Sequence, residues 1–252
     1  MRYFIYLSYL GQSYSGWQIQ KNALSVQQIV QEALSNLLST QVTIWGSGRT
    51  DKGVHASNQV AHFDLEQEIP NASHLLYALN RILPSDVGIT AIRAVVPHAH
   101  ARFDALYRVY EYTLVRTKNP FYKQVALWVD PLPSLALLNQ LAAFFCVSTD
   151  FEYLSKVNKQ LQNFVCTVQE ATWSQVEDRI VFRIKSNRFL RGMVRALVGI
   201  MLKVGRGKLA WETVQQWLLT KPMERPILPL APPHGLRLVE VAYPEKIFLT
   251  HL

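Results

Sequence analysis

The segment GSGRTDKGVHA, residues 46–56, concentrates the side chains of this sequence that could do chemistry. Arg49, Asp51 and Lys52 put a carboxylate between two cations inside a turn that glycines bound. Glycine tolerates a positive φ and aspartate bonds its own backbone, so a plain surface turn is the ordinary interpretation. A phosphate-cradling loop of a nucleotide hydrolase would need the order GxxxxGK[ST], which the sequence does not contain.

The elements around this segment would hold it at the end of a sheet. Residues 42–45 and 58–65 have the composition of strands, and the segment connects them. Before them, Ser25 can cap a helix whose apolar residues recur at helical spacing from Val26 to Leu38. Asp51 is therefore expected on a loop held by rigid neighbours, where functional side chains are often found.

Strand-like and helix-like segments mix irregularly along the rest of the chain. Further strands are predicted at 2–10, 88–95, 106–115, 167–175, 179–187 and 235–243, and further helices at 72–83, 135–147, 193–204 and 210–219. Because no regular βαβ alternation is present, the pattern favours an α+β fold with largely antiparallel sheets. The similar element content of the two halves suggests two subdomains.

Charge and hydropathy limit the class of partner. The 252 residues include 26 Lys+Arg and 18 Asp+Glu, a formal net charge of +8. A field of this sign attracts polyanions, with nucleic acid first, although basic charge that only serves solubility is the alternative. No Lys/Arg run lies beside an amphipathic helix, no apolar run reaches about 20 residues, and no signal-peptide pattern is present. We therefore expect a cytoplasmic protein without a membrane partner.

Six ordered segments, spanning about residues 8–244, resemble the tRNA pseudouridine synthase A (TruA) family. GRTDKGVHA is similar to the family's loop with the catalytic aspartate. The other segments are YLGQSYSGWQIQ, ALNRILPSDV, ARFDALYRVYEYTL, RFLRGMVRALVGIMLKVG and APPHGLRLVEVAYP. A single match of this length can arise by chance, whereas six in the same order are specific.

The resemblance implies the pseudouridine synthase fold, an α+β fold of two subdomains. Residues 1–103 would carry the GRTD loop, and residues 104–252 the RxYxY strand and the MVR helix. Their mainly antiparallel sheets would form one extended mixed sheet flanked by helices, with the active-site cleft between the subdomains.

The implied reaction is the isomerisation of uridine to pseudouridine in the anticodon arm of tRNA, at tRNA positions 38, 39 and 40, without cofactor or metal. Asp51 would be the catalytic residue, either as a nucleophile or as a base on the sugar. Arg195 matches the arginine of the MVR helix and would keep Asp51 ionised, because a buried carboxylate without a nearby cation tends toward neutrality. The ring of Tyr110 would stack on the target uracil, and Tyr112 would belong to the core.

Several further residues would contact the RNA or support those that do. The resemblance puts Arg49 near the RNA backbone or in the space that an extruded base vacates. Lys52 and Arg191 would meet phosphates. Trp17 would be either a stacking platform or a core anchor for its loop, and His55 would shape the catalytic loop.

The expected partners are the anticodon stem-loop of tRNA and a second copy of the chain in a homodimer, with no DNA. An alternative from another class is a catalytically silent RNA-binding or RNA-folding protein of the same fold. Loss of Asp51, Tyr110 or Arg195 would have favoured that alternative, and all three are present.

Overall fold

The structure is a computed structural model that describes residues 1–156 and 162–249. In chain order its strands and α-helices are β1 (Arg2–Tyr9), α1 (Val26–Leu38), β2 (Trp45–Gly46), β3 (His55–Asp64), α2 (Ala72–Ile82), β4 (Val87–Val95), β5 (Tyr107–Val115), β6 (Leu127–Trp128), α3 (Leu135–Val147), β7 (Val168–Val176), β8 (Arg179–Ser186), α4 (Met193–Gly205), α5 (Trp211–Leu219) and β9 (Leu236–Ala242). Contacts divide the chain into two compact units, Met1–Tyr107 with Arg237–Leu252, and Arg108–Leu236.

The first unit is built on β1, which lies between β3 and β4 and pairs antiparallel with both. β3 also pairs antiparallel with β2 and parallel with β9, so this sheet is mixed. Phe4 and Ile5 of β1 are fully buried. Two capped helices accompany the sheet: the Ser25 side chain accepts from the N–H of Gln28 at the start of α1, and Asn71 caps α2 in the same way.

The second unit has β8 between β5 and β7, again antiparallel to both, and a short β6 that runs parallel to β5. Trp173 of β7 stacks on Phe182 of β8 with ring centroids 4.9 Å apart, and Tyr112 of β5 lies opposite Phe182. α3 packs on β7 and contacts α4, whose residues from Met193 to Leu202 are nearly all buried. The core of this unit therefore lies between the sheet and these two helices.

The α+β class and the mainly antiparallel, mixed pairing predicted from the sequence are confirmed. The prediction of a strand over 42–45 is wrong before Trp45. The N–H of Val42 donates to Ser35 Oγ at 3.0 Å, and that of Ile44 donates to Gln31 Oε1 at 3.2 Å. These backbone groups therefore bond to side chains of α1 and not to a neighbouring strand.

The functional division into 1–103 and 104–252 stays a prediction. By contact, the segment from Arg237 belongs with the first unit, because β9 pairs with β3 through His55 and Ala56. None of the helices in the described residues combines the length and the apolar composition that a membrane-spanning helix needs.

Candidate functional site: the 46–55 loop and the residues that support it

The first half of the loop between β2 and β3 is fixed by a buried polar network. Ser47 donates its N–H to Val60 O at 2.7 Å and its hydroxyl to Gln59 Oε1 at 2.6 Å. Gln59 in turn donates from Nε2 to Gly48 O at 3.2 Å. Ser47 and Gln59 are both buried, so these bonds form away from water and give an irregular segment a defined backbone path.

The second half of the loop is tied by its own turn and by His55. Val54 donates its N–H to Asp51 O at 3.1 Å, and Gly53 between them has a φ of 79°, which suits glycine. The buried His55 accepts the N–H of Gly11 at Nδ1, with a separation of 2.9 Å. An accepting Nδ1 carries no proton, so this bond uses the imidazole as a fixed support, the loop-shaping role predicted for His55.

The neighbouring loop presses directly on the backbone at Asp51. Gly16 has a φ of +89°, and a Cβ there would lie 2.4 Å from Thr50 O and 3.2 Å from both Asp51 C and Lys52 N. Trp17 donates its N–H to Thr50 O at 3.2 Å. The backbone from Thr50 to Lys52 therefore packs against Gly16, where any side chain would clash with it.

Trp17 is a structural support of this contact. Its side chain is 1% exposed, and its ring stacks on Tyr9 with centroids 6.3 Å apart. The indole edge lies against Gly46, where a Cβ would come within 2.4 Å of Nε1. The ring is almost entirely buried, so of the two roles that the sequence left open for Trp17, its surroundings fit the core anchor better than the stacking platform.

The three charged residues of the loop differ in exposure. Asp51 is half-buried, whereas Arg49 and Lys52 are exposed. Thr50 between them is buried, and its hydroxyl shares a 2.9 Å hydrogen bond with Tyr9. The rigid backbone thus presents one partly sheltered carboxylate with a cation exposed on each side, an arrangement suited to work on an anionic partner.

In the second unit, Tyr110 and Tyr112 of β5 have different surroundings. Tyr110 is 9% exposed, and its ring meets Phe189 edge to face at 5.1 Å. Tyr112 is fully buried and donates its hydroxyl to Pro232 O at 2.8 Å. Burial raises the pKa of Tyr112 above its ordinary value, against the opposing effect of the Arg195 charge. Tyr112 is therefore a core residue, as predicted.

Arg195 lies in the first turn of α4 and is held by one residue at two points. Its Nε donates to Ala231 O at 2.7 Å, and its carbonyl oxygen accepts from Ala231 N at 2.9 Å. One turn later, a Cβ at Gly199 would lie 1.5 Å from Pro229 O, so α4 packs directly on the 229–231 backbone. The bond from Nε fixes the orientation of the half-buried guanidinium.

Arg191 precedes α4 and is exposed. Its carbonyl oxygen accepts from Lys156 N at 2.8 Å, and the N-cap residue Gly192, with a φ of +69°, lies against the Lys156 side chain. Two cations from separate segments are thereby neighbours, which suits a phosphate contact.

The structure groups the predicted site residues by unit. The first unit carries Trp17, Arg49, Asp51 and Lys52, and the second carries Tyr110, Arg191 and Arg195. The roles of these residues and the pairing of Asp51 with Arg195 stay predictions. Gln59 was not among the residues predicted from the sequence, although a polar residue inside an apolar strand pattern is a signal for a buried hydrogen-bond network.

No metal centre can be assembled from the described residues. Over 1–156 and 162–249, no three His, Cys, Asp or Glu side chains are grouped so that they could share an ion.

A family profile and individual relatives match this chain over most of its length. A family profile described as tRNA pseudouridine synthase matches residues 5–107 and 145–244, which include Asp51 and Arg195. The tRNA pseudouridine synthase A of Parabacteroides distasonis is 42% identical over 247 residues, 98% of each chain. That of Bacteroides fragilis is 40% identical over 248 residues, again 98% of each, and that of Exiguobacterium sibiricum is 34% identical over 241 residues, 95% of this chain and 96% of the relative.

Proposed function

Because this chain belongs to the tRNA pseudouridine synthase A family and so is an isomerase of uridine in tRNA, we propose that it acts on the anticodon arm at tRNA positions 38, 39 and 40 with Asp51 as catalytic residue. The observation that carries the proposal is the half-buried carboxylate on the 46–55 loop. That loop is supported from three sides, by Gly16, Ser47 and His55. Such support limits the motion of the reacting group.

The chemistry explains why one carboxylate and no cofactor would suffice. The N1–C1′ bond of the uridine breaks, the uracil turns, and a C5–C1′ bond forms. C5 loses its hydrogen and N1 gains one, so atoms balance and nothing is oxidised or reduced. Asp51 would start this sequence either by attacking the nucleoside as a nucleophile or by taking a proton from the sugar, and both roles require the ionised carboxylate.

Tyr110 and Arg195 would complete the machinery. The ring of Tyr110 would stack on the target uracil, and its edge contact with Phe189 at 5.1 Å would hold the ring plane for that purpose. Arg195 would be the cation that keeps Asp51 ionised and oriented. Its fixed guanidinium, bonded to Ala231 O through Nε, supports this role because little side-chain freedom remains to be lost.

Three exposed cations, Arg49, Lys52 and Arg191, would bind the RNA. Extruding the target nucleotide from its stack costs a few kcal/mol, which enzyme contacts must offset. Arg49 would supply such a contact near the backbone or in the vacated space, and Lys52 and Arg191 would neutralise phosphates. Trp17 would act through the loop that it anchors.

We also propose that the protein works as a homodimer in the cytoplasm. A tRNA is far longer than a domain of this size, so one subunit could grip the body of the tRNA while the other presents its active site. Light scattering at micromolar concentration should give the mass of two chains. A monomer with undiminished activity would contradict the proposal.

The direct test of the target is incubation with unmodified tRNA transcripts that carry uridine at position 38, 39 or 40, followed by pseudouridine mapping. Pseudouridine should form at each of these positions. Transcripts in which cytidine replaces the uridine at all three positions are the matched control and should stay unmodified. Pseudouridine confined to another arm of the tRNA would contradict the proposed target.

A further inference from the structure

Four aromatic rings of the first unit form a continuous row that the proposed chemistry does not use: Trp45, His62, His100 and Phe103. Trp45 stacks on His62 with centroids 5.2 Å apart at 18°. His62 meets His100 at 4.4 Å, and His100 meets Phe103 at 4.3 Å. Both ends of this ring row reach solvent, since Trp45 is 45% and Phe103 73% exposed, whereas His62 is buried.

Backbone hydrogen bonds hold the two inner rings. His62 accepts the N–H of Ala101 at Nδ1, 3.2 Å away, and His100 accepts the N–H of Arg102 at its own Nδ1, 3.1 Å away. Burial lowers the pKa of His62 to about 4, and burial likewise lowers the pKa of His100 below its ordinary value. Near neutral pH both imidazoles are therefore uncharged, and the ring row is a preformed aromatic surface.

Positive charge accompanies the Phe103 end of the ring row. The guanidinium carbon of Arg102 lies 5.5 Å from the centre of the Phe103 ring, and Arg102 is exposed. Arg2 also lies near His62 and His100, and it forms a bidentate ion pair with Asp64 at 2.7 and 2.8 Å. An exposed aromatic face with an arginine beside it is the combination that binds unpaired nucleotides, because bases stack on the ring and the cation meets the phosphate.

Trp45 directly precedes the 46–55 loop, but the ring row lies near the end of β3, whereas Asp51 is close to the start of that strand. Trp45 pairs with His62, which lies seven residues beyond His55 along β3. At about 3.4 Å per residue along an extended strand, the Cα atoms of His55 and His62 are about 24 Å apart. A base on the ring row is therefore a different nucleotide from one that reacts at Asp51.

We propose that the two exposed ends of the ring row, Trp45 and Phe103, form a second RNA contact on which unpaired bases of the tRNA, other than the target uridine, stack, while Arg102 beside Phe103 meets a phosphate. This inference rests on the proposed function for the identity of the RNA. An apolar protein partner would not use the arginine, whereas a polyanion with aromatic bases uses both the ring faces and the charge, in keeping with the net charge of +8.

The test replaces aromatic faces while keeping apolar side chains. Phe103→Leu and Trp45→Leu should each weaken binding of an unmodified tRNA transcript by roughly 5- to 150-fold, the range for losing one base–aromatic stack. Phe103→Tyr keeps a ring and should bind within about twofold of wild type. Tyr77→Leu is the matched control, because Tyr77 is another exposed aromatic of the first unit, 63% exposed on α2. The affinity of this variant for the tRNA transcript should equal that of the wild type.

Measurements of kcat, KM and molecular mass distinguish an RNA-binding platform from an interface between copies of the chain. At saturating tRNA the leucine variants should keep the wild-type kcat, with the loss confined to KM, and light scattering should give the wild-type mass. Wild-type affinity in Phe103→Leu would overturn the platform. So would a loss of affinity that accompanies dissociation, since the ring row would then be an interface between copies. Failure of the proposed function is distinct: wild-type protein would bind the tRNA without forming pseudouridine, and the affinity comparison would still decide the platform.

Discussion

Replacing Gly16 by alanine should disable the reaction without unfolding the protein. The new Cβ would lie 2.4 Å from Thr50 O, about 1 Å closer than an ordinary contact of 3.4 Å, and the neighbour is backbone that cannot rotate away. The loop that carries Asp51 must therefore shift by about 1 Å. A displacement of this size at a reacting group costs about 100-fold in rate, or about 2.7 kcal/mol in the barrier.

Gly207 provides a matched control for the strain that alanine feels at a positive φ. Its φ is +66°, and nothing lies within 4 Å of the position that a Cβ would occupy. Both Gly16→Ala and Gly207→Ala should lose about 1–2 kcal/mol of unfolding free energy from the left-handed backbone. Gly16→Ala should lose more than Gly207→Ala, because only its Cβ meets Thr50 O. Only Gly16→Ala should also lose activity.

The assay is single-turnover pseudouridine formation on a tRNA transcript with enzyme in excess, beside thermal unfolding of both variants. A Gly16→Ala protein that is folded, destabilised like Gly207→Ala, and within about fivefold of the wild-type rate would refute the claim that this contact positions Asp51.

Three further outcomes are expected. Arg195→Lys keeps the charge but loses the bond from Nε to Ala231 O, so the unfolding free energy should fall by about 1.5–3 kcal/mol, and a wild-type denaturation midpoint would contradict this. Burial lowers the pKa of His62 from 6.5 to about 4, so between these values the unfolded chain binds a proton that the folded protein does not. The unfolding free energy should therefore fall by on the order of 3 kcal/mol as the pH drops from about 7.5 to 4. In urea titrations at several pH values, His62→Gln should show a smaller fall of the unfolding free energy over this range. Arg49→Ala or Lys52→Ala should each reduce the log–log salt slope of tRNA binding by about 0.7–0.9, and an unchanged slope would exclude a phosphate contact.

Local chemistry in the sequence predicted most of the regular elements. The capping serine at Ser25 and the apolar spacing from Val26 to Leu38 gave α1 its observed bounds, and α3 begins and ends where predicted, at Leu135 and Val147. These signals succeed because capping and amphipathic spacing act within a few residues of the chain. The strand predicted over 42–45 was wrong before Trp45, because the backbone N–H groups there form hydrogen bonds with side chains of α1.

For the candidate site, the sequence identified the reactive segment but not what holds it. A carboxylate between cations in a glycine-bounded turn is visible in the order of residues. The contact of Gly16 with Thr50 and the buried bond of Ser47 to Gln59 join residues far apart in the chain, so no local pattern reveals them. Trp17 shows the same limit: only its surroundings, Tyr9 and Gly46, distinguish a core anchor from a stacking platform.

The central claim is that the Asp51 carboxylate starts the isomerisation, and Asp51→Asn tests it most directly. Asparagine keeps the volume and the turn-forming capacity of aspartate but removes the charge. The variant should melt near the wild-type temperature and bind tRNA, yet form no detectable pseudouridine in a single turnover with enzyme in excess. More than about one hundredth of the wild-type rate, a loss smaller than about 2.7 kcal/mol, would show that another group does the chemistry.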